Sequence, residues 1–183
     1  MISVKTLTSC TIETPLGTMI AIADEHALYL LDFIDRKNAE RQLGLILTKT
    51  NAIIVPGSNA VLDSITQELT DYFAGKLTSF TTPIQFTGSP FQHGAWNMLT
   101  TVPYGQTRTY LQEAVILGNK NACRAVARAN STNNLAIIVP CHRIIGSNGK
   151  LTGYAGGVDR KEWLINHEKQ HIKALVFSTT HLF

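Results

Sequence analysis

The sequence predicts an α+β protein in two parts, a small N-terminal α/β part followed by a mostly helical C-terminal part. Three observations carry this. Runs of β-branched and apolar residues with turn signals between them fill the first third of the chain, whereas helical spacing dominates from about residue 90. A stretch rich in Thr, Ser and Pro, residues 77–90, separates the two. The charge balance also reverses: six basic and nine acidic residues lie up to residue 88, against ten and four beyond it. The division is expected at 87/88, giving parts 1–87 and 88–183.

In chain order, residues 2–12 and 18–34 read as strands. Ile20, Ile22, Leu28, Leu30, Phe33 and Ile34 supply the apolar content, and Pro15-Leu16-Gly17 forms the turn. Residues 37–47 have helical spacing, with Ala39, Leu43 and Ile46 on one face. A second helix is expected over 59–73, capped by Asn59, striped by Val61, Leu62, Ile65, Leu69 and Phe73, and ended by Gly75. One short strand is expected around Ile84–Phe86. Pro90 opens a helix through Phe91, Ala95, Trp96 and Leu99, which Val102-Pro103-Tyr104-Gly105 breaks. Helices over about 109–117 and 121–129, joined through Gly118, fit a helix-turn-helix, and Arg124 and Arg128 share a face of the second. Leu135-Ala136-Ile137-Ile138-Val139 reads as a short buried strand running into Pro140-Cys141-His142-Arg143. A last helix is expected over 159–169, with Trp163, Leu164 and Ile165 facing inward.

An apolar content of 44% argues for a folded globule. No run approaches the ~18 apolar residues that a membrane helix needs, and no signal-peptide pattern opens the chain. The expectation is therefore a cytoplasmic protein without a membrane partner. Three cysteines, Cys10, Cys123 and Cys141, form no disulfide framework and no Cys-x-x-Cys pair. The basic second half suits a nucleic-acid partner and equally describes a solvated surface.

Cys141 is the candidate nucleophile. It follows an apolar run and a proline and stands beside His142 and Arg143, a setting in which imidazole and guanidinium favour the thiolate. Glu168 on the last helix can orient His142 if the fold joins them. From local chemistry alone, a buried structural cysteine explains the pattern as well. Adjacent Cys141 and His142, with His167 and His171 four apart, do not complete a zinc ligand set, and no metal is expected.

The order of motifs adds more. Pro140-Cys141-His142-Arg143-Ile144-Ile145-Gly146-Ser147, Gly149-Lys150-Leu151-Thr152-Gly153-Tyr154-Ala155-Gly156-Gly157, Arg160-Lys161, Leu164 and Glu168 resemble the O6-alkylguanine-DNA alkyltransferases. Phe91-Gln92, Trp96, Leu99, Val102-Pro103-Tyr104-Gly105, Thr107, Tyr110, Ala122–Ala127 and Asn133 fall in the same register, and Thr14-Pro15-Leu16-Gly17 resembles the first domain more weakly. The resemblance implies a ribonuclease-H-like first domain and a helix-turn-helix of winged-helix type in the second. It implies single-use transfer of an alkyl group from O6-alkylguanine, and from O4-alkylthymine, in double-stranded DNA to Cys141, without a cofactor, by a monomer whose cooperativity on DNA is open.

The same resemblance assigns roles. His142 takes the thiol proton through a water, Glu168 orients His142, and Asn133 holds the cysteine turn. Tyr110 protonates the departing guanine. Arg124 fills the gap left by a nucleotide flipped through the minor groove, with small Ala125 beside it. Ile144, Tyr154, Ala155 and Gly156 line the guanine pocket. Three departures stand out. Arg128 stands where the family usually has a small residue and is expected to add a phosphate contact. Glu113 occupies a position that is apolar in the family, which predicts a shifted or loosened first motif helix. Asp24 replaces a ligand of the zinc site found in some members, leaving only Cys10 and His26. A binding-only relative would lack Cys141; a transcription regulator and a thiol hydrolase are the remaining rivals.

Overall fold

The computed structural model describes residues 4–179. The chain divides into two compact units, Met1–Ser89 with Asn134–Ala136, and Pro90–Asn133 with Ile137–Phe183.

The first unit is built on a four-stranded sheet of order β3-β2-β1-β4, formed by β1 (Lys5–Ile12), β2 (Met19–Ala23), β3 (Leu28–Phe33) and β4 (Ala52–Pro56). β1 pairs antiparallel with β2 and parallel with β4, and β2 pairs antiparallel with β3. Side chains alternate across a strand, so each face gathers its own set. Leu7, Ile22 and Leu30 pack with Ile46 and Leu43 of α1 (Ala39–Thr50). From the other face of β1, Cys10 reaches Thr66 of α2 (Ala60–Phe73). Each such apolar side chain taken from water contributes about 1.5–3 kcal/mol.

The expected cap of α2 is present: Asn59 accepts a hydrogen bond from the Leu62 N–H at 2.9 Å. Tyr72 rather than Phe73 completes its buried stripe. Several expectations need correction. The run 18–34 is a hairpin, because the Asp24 carboxylate accepts from the His26 and Ala27 N–H groups and turns the chain. Ile34 lies beyond β3 and is exposed. Strand β4 was not expected; Asn51 ends α1 in the left-handed region (φ 49°), and β1 supplies the partner that makes the next residues a strand. Around Ile84 there is one isolated bridge to Leu28 rather than a strand. Residues 2 and 3 of the expected first strand lie outside the described residues.

The second unit contains α3 (Pro90–Thr100), β5 (Arg108–Thr109), α4 (Tyr110–Ile116), α5 (Cys123–Ser131), a 3-10 turn at Cys141–Arg143, β6 (Ile144–Ile145) and α6 (Val158–Thr179). Trp96 is buried and donates its indole N–H to the Ala129 carbonyl at 2.9 Å, which fixes α3 against α5. Residues 135–139 are not a strand. Leu135 makes a single bridge to Leu31, and the chain then turns through Ile137, whose φ is 71°. The run is apolar because it is buried, not because it is extended. Helix α6 runs longer than expected, and Trp163 is 37% exposed and stacked on His167 instead of facing inward, while Leu164 and Ile165 are buried. Among the described residues no helix is long and apolar enough to cross a membrane.

Candidate active site and DNA-facing helix

The turn that carries Cys141 begins where α5 ends. Asn133, buried, donates from Nδ2 to the Val139 carbonyl at 2.8 Å and to the Cys141 Sγ at 3.3 Å. The Cys141 N–H donates to the Val139 carbonyl at 2.8 Å, and the Arg143 N–H to the Pro140 carbonyl at 3.0 Å. These bonds fold residues 139–143 into a tight turn that leaves Cys141 8% exposed.

The next two side chains point to α6. His142, fully buried, faces Glu168 through Nε2 at 2.8 Å from Oε1. Arg143 grips the same carboxylate with Nε to Oε2 (2.9 Å) and Nη2 to Oε1 (3.0 Å), and its Nη1 donates to the Val102 carbonyl at 2.6 Å. The Gly105 N–H donates to Oε2 at 3.0 Å. This corrects one expectation: the Arg143 guanidinium is committed to Glu168 and the Val102 carbonyl, not to the thiol. Burial alone would raise the Glu168 pKa, but the hydrogen bonds and charges of His142 and Arg143 outweigh it and hold the carboxyl well below the usual range. Complete burial lowers the His142 pKa, against the pull of Glu168. A neutral imidazole beside an ionised carboxylate carries its proton on Nε2, which leaves Nδ1 as a base. Nδ1 is buried and has no hydrogen-bond partner among the described residues.

Tyr110 reaches this place through a two-residue ladder. β5 and β6 pair in parallel, Arg108 with Ile144 and Thr109 with Ile145, so α4 starts beside the strand that leaves the cysteine turn. Thr109 caps α4 in a reciprocal capping box with Gln112. The half-buried Tyr110 hydroxyl donates to the carbonyls of Thr152 (3.1 Å) and Gly153 (3.2 Å). Burial above all pushes its pKa up to about 12. Lys161, buried on α6, donates to the same two carbonyls at 2.8 and 3.4 Å, and burial pulls its pKa down to about 8. Ile144 is buried, and Tyr154, Ala155 and Gly156 are half-buried in the loop before α6, which Arg160 ties down by donating to the Gly156 carbonyl at 3.0 Å.

α4 and α5 form the helix-turn-helix. Gly118 (φ 84°) ends α4 with the Asn119 N–H on the Ala114 carbonyl. Val126, Ala129 and Asn130 are buried, whereas Arg124, Ala125 and Arg128 are exposed. The expected loosening at Glu113 is absent: α4 is regular, Glu113 is fully buried, and it accepts from Asn130 at 2.9 Å. Among the described residues no three His, Cys, Asp or Glu side chains gather in a way that could hold a metal.

The structure thus brings Asn133 to Cys141 and Glu168 to His142, sets Tyr110 on the adjoining loop, and leaves Arg124, Ala125 and Arg128 on an exposed helix face. Gly105 and Lys161 were assigned no role from sequence. Lys161 carried a signal, since it shares the spacing of the buried stripe Leu164, Ile165 and Glu168.

Two family models match the chain. Residues 7–86 match the ribonuclease-like domain of 6-O-methylguanine DNA methyltransferase, and residues 90–170 match its DNA-binding domain. The chain belongs to the 6-O-methylguanine DNA methyltransferase family. This is a family of DNA-binding alkyltransferases with a cysteine acceptor, and its fold is the α+β arrangement with a helix-turn-helix described above. A Methanosarcina acetivorans methylated-DNA–protein-cysteine methyltransferase is 42% identical over 160 residues, which cover 85% of this chain and 94% of the relative. Its counterpart in Salmonella typhimurium is 43% identical over 162 residues, 86% and 92% of the two chains. Among solved structures, Mycobacterium tuberculosis OGT in complex with DNA is 37% identical, with a TM-score of 0.77 and coverage of 91% and 94%.

Proposed function

We propose that the protein repairs O6-alkylguanine, and O4-alkylthymine, in double-stranded DNA by moving the alkyl group once and irreversibly onto its own Cys141. The observation that carries this is the acceptor turn itself: Cys141 Sγ receives a hydrogen bond from Asn133, and the next residue faces the buried Glu168 at 2.8 Å.

The step balances as follows. The Cys141 proton passes to His142 Nδ1 through an ordered water, while Glu168 holds the imidazole in the tautomer that accepts it. Sulfur attacks the alkyl carbon, an S–C bond forms and the C–O6 bond breaks. The electron pair stays with the guanine, and Tyr110 supplies the proton that makes it a neutral leaving group. A hydroxyl with a pKa near 12 gives up that proton only to a strongly basic leaving base and otherwise stays a donor. Asn133 keeps Sγ aimed. Ile144, Tyr154, Ala155 and Gly156 enclose the base. Since S-alkyl cysteine has no leaving route here, the protein is spent after one event.

The target atom is stacked inside the duplex, so the nucleotide must be flipped out at a cost of a few kcal/mol. On this reading α5 enters the minor groove, Arg124 occupies the vacated stack, Ala125 lets the backbone approach, and Arg128 meets a phosphate. Residues 88–183 form the acting part, working as a monomer.

The test is the mass of the intact protein after incubation with a duplex bearing O6-methylguanine. One added methyl per chain, on the peptide containing Cys141 and absent from Cys141→Ser, is expected. No gain, or a methyl on Cys10 or Cys123, would overturn the assignment.

A further inference from the structure

Glu113 sits in the middle of α4 with no exposed surface. A carboxylate in that place should be paired with a cation, yet its hydrogen-bonded neighbour is the neutral amide of Asn130 on α5, whose Nδ2 donates to Oε2 at 2.9 Å. Two buried atoms of this pair, Glu113 Oε1 and Asn130 Oδ1, have no hydrogen-bond partner among the described residues. While Glu113 is ionised both are acceptors, and neither can satisfy the other. A single proton on Oε1 turns it into a donor of the kind Oδ1 lacks, which allows acid and amide to share two bonds instead of one.

The surroundings agree. Burial pushes the carboxyl up to about 7, against the hydrogen bond of Asn130 and the more distant charge of Arg108. On its own helix the titratable neighbour is Tyr110, a turn earlier. The charged residues of α5, Arg124 and Arg128, are exposed on its other side. α3, packed on α5, contributes only His93, whose ring stacks on Trp96.

We infer that Glu113 is held as a neutral acid and that its acid–amide pair with Asn130 positions the DNA-facing helix α5 on α4. The link reaches further than the two helices. The Asn130 carbonyl accepts from the Asn133 N–H at 3.2 Å, and Asn133 in turn donates to Cys141 Sγ. One proton therefore secures the helix that carries Arg124, the helix that begins at Tyr110, and the donor that aims the acceptor sulfur. The functional half of this inference rests on the alkyl-transfer reading; the protonation half does not.

Glu113→Gln supplies an amide donor and acceptor at every pH and so imitates the acid. Its melting temperature and the wild type's are compared from pH 5 to 8.5. A folded pKa raised above the ordinary carboxylate value means that stability is lost as pH climbs from about 4.3 through about 7. The gap between the two proteins should be smallest at pH 5, and Gln should gain several degrees on the wild type between there and pH above 7. Other groups titrate in both proteins, so the difference belongs to Glu113. A gap that does not change with pH would overturn the inference. So would the absence at pH 6 of an isotope-edited carboxylic acid infrared band that disappears in the Gln variant. For positioning, the ratio of wild-type to Gln transfer rate on an O6-methylguanine duplex should fall several-fold between pH 6 and 8.5. A flat ratio beside a pH-dependent melting gap would refute the positioning role. Failure of both proteins to take up methyl would refute the alkyl-transfer reading, and melting would still decide the state of Glu113.

Discussion

Glu168→Gln removes one charge without changing shape. In the folded protein that charge is 1% exposed and faces the guanidinium of Arg143, itself 7% exposed, through two hydrogen bonds of 2.9 and 3.0 Å. His142 and the Gly105 N–H use the same two oxygens. A glutamine has a single acceptor for those donors, and its amide brings two further N–H groups to a place already filled with them. Breaking one side of a buried ion pair costs about 3–5 kcal/mol, because the partner charge stays in the interior. For a chain of this size each kcal/mol moves the melting temperature by about 2–4 °C, so a fall of roughly 6–20 °C is expected. The carboxyl of Glu168 is held below its ordinary range, so this stability is present above about pH 4.3 and is lost as pH falls from there through the folded value. The assay is thermal unfolding by circular dichroism at pH 7.5 and again under acid, alongside single-turnover methyl transfer, which should slow because the imidazole tautomer is no longer imposed. A melting temperature within about 2 °C of the wild type, below the shift from even 1 kcal/mol, would show that Arg143 finds another partner and would refute the shared-carboxylate account.

Further outcomes follow from the same geometry. Arg124→Ala should slow repair of duplex DNA far more than reaction with free O6-benzylguanine, since only the duplex requires unstacking; equal losses in the two rate measurements would place Arg124 in the fold or the pocket. Arg128→Ala should weaken binding across sequences and reduce the slope of log affinity against log salt by about 1, and an unchanged slope would mean that it meets no phosphate. Asn133→Ala should destabilise the protein by about 0.5–1.5 kcal/mol by removing one of the two donors to the Val139 carbonyl, which keeps the Cys141 N–H, and should slow transfer as well; a full rate in a stopped-flow assay would show that the sulfur needs no aiming. The alkylated protein should melt below the fresh one, because the 3-10 turn around Cys141, a residue only 8% exposed, must admit a new carbon at about 1–3 kcal/mol, and benzyl should lower it further than methyl. Identical melting curves for the three forms would show that the pocket takes the adduct without strain.

What the sequence determined by itself was local. The cap at Asn59, the stop at Gly118 and the apolar stripes of α2 and α3 follow from groups within a few residues of one another, where backbone sterics and orphaned N–H groups decide the outcome. The ordered motifs from Phe91 to Glu168 carried the family resemblance that singled out Cys141 and its neighbours, since the order of motifs is written in the chain. Tertiary structure decided whatever needed a partner from afar. The β-branched run 53–55 became a strand because β1 lay beside it, whereas the equally apolar 135–139 became a buried turn because only Leu135 found a strand to join. Arg143 was read as a neighbour of the thiol and proved to serve a carboxylate 25 residues away. Glu113 was read as a misfit in its helix and proved to meet an amide 17 residues away. Burial changes what a charged side chain needs, and which partner satisfies it is set by which surfaces close over it, something no local pattern in the chain contains.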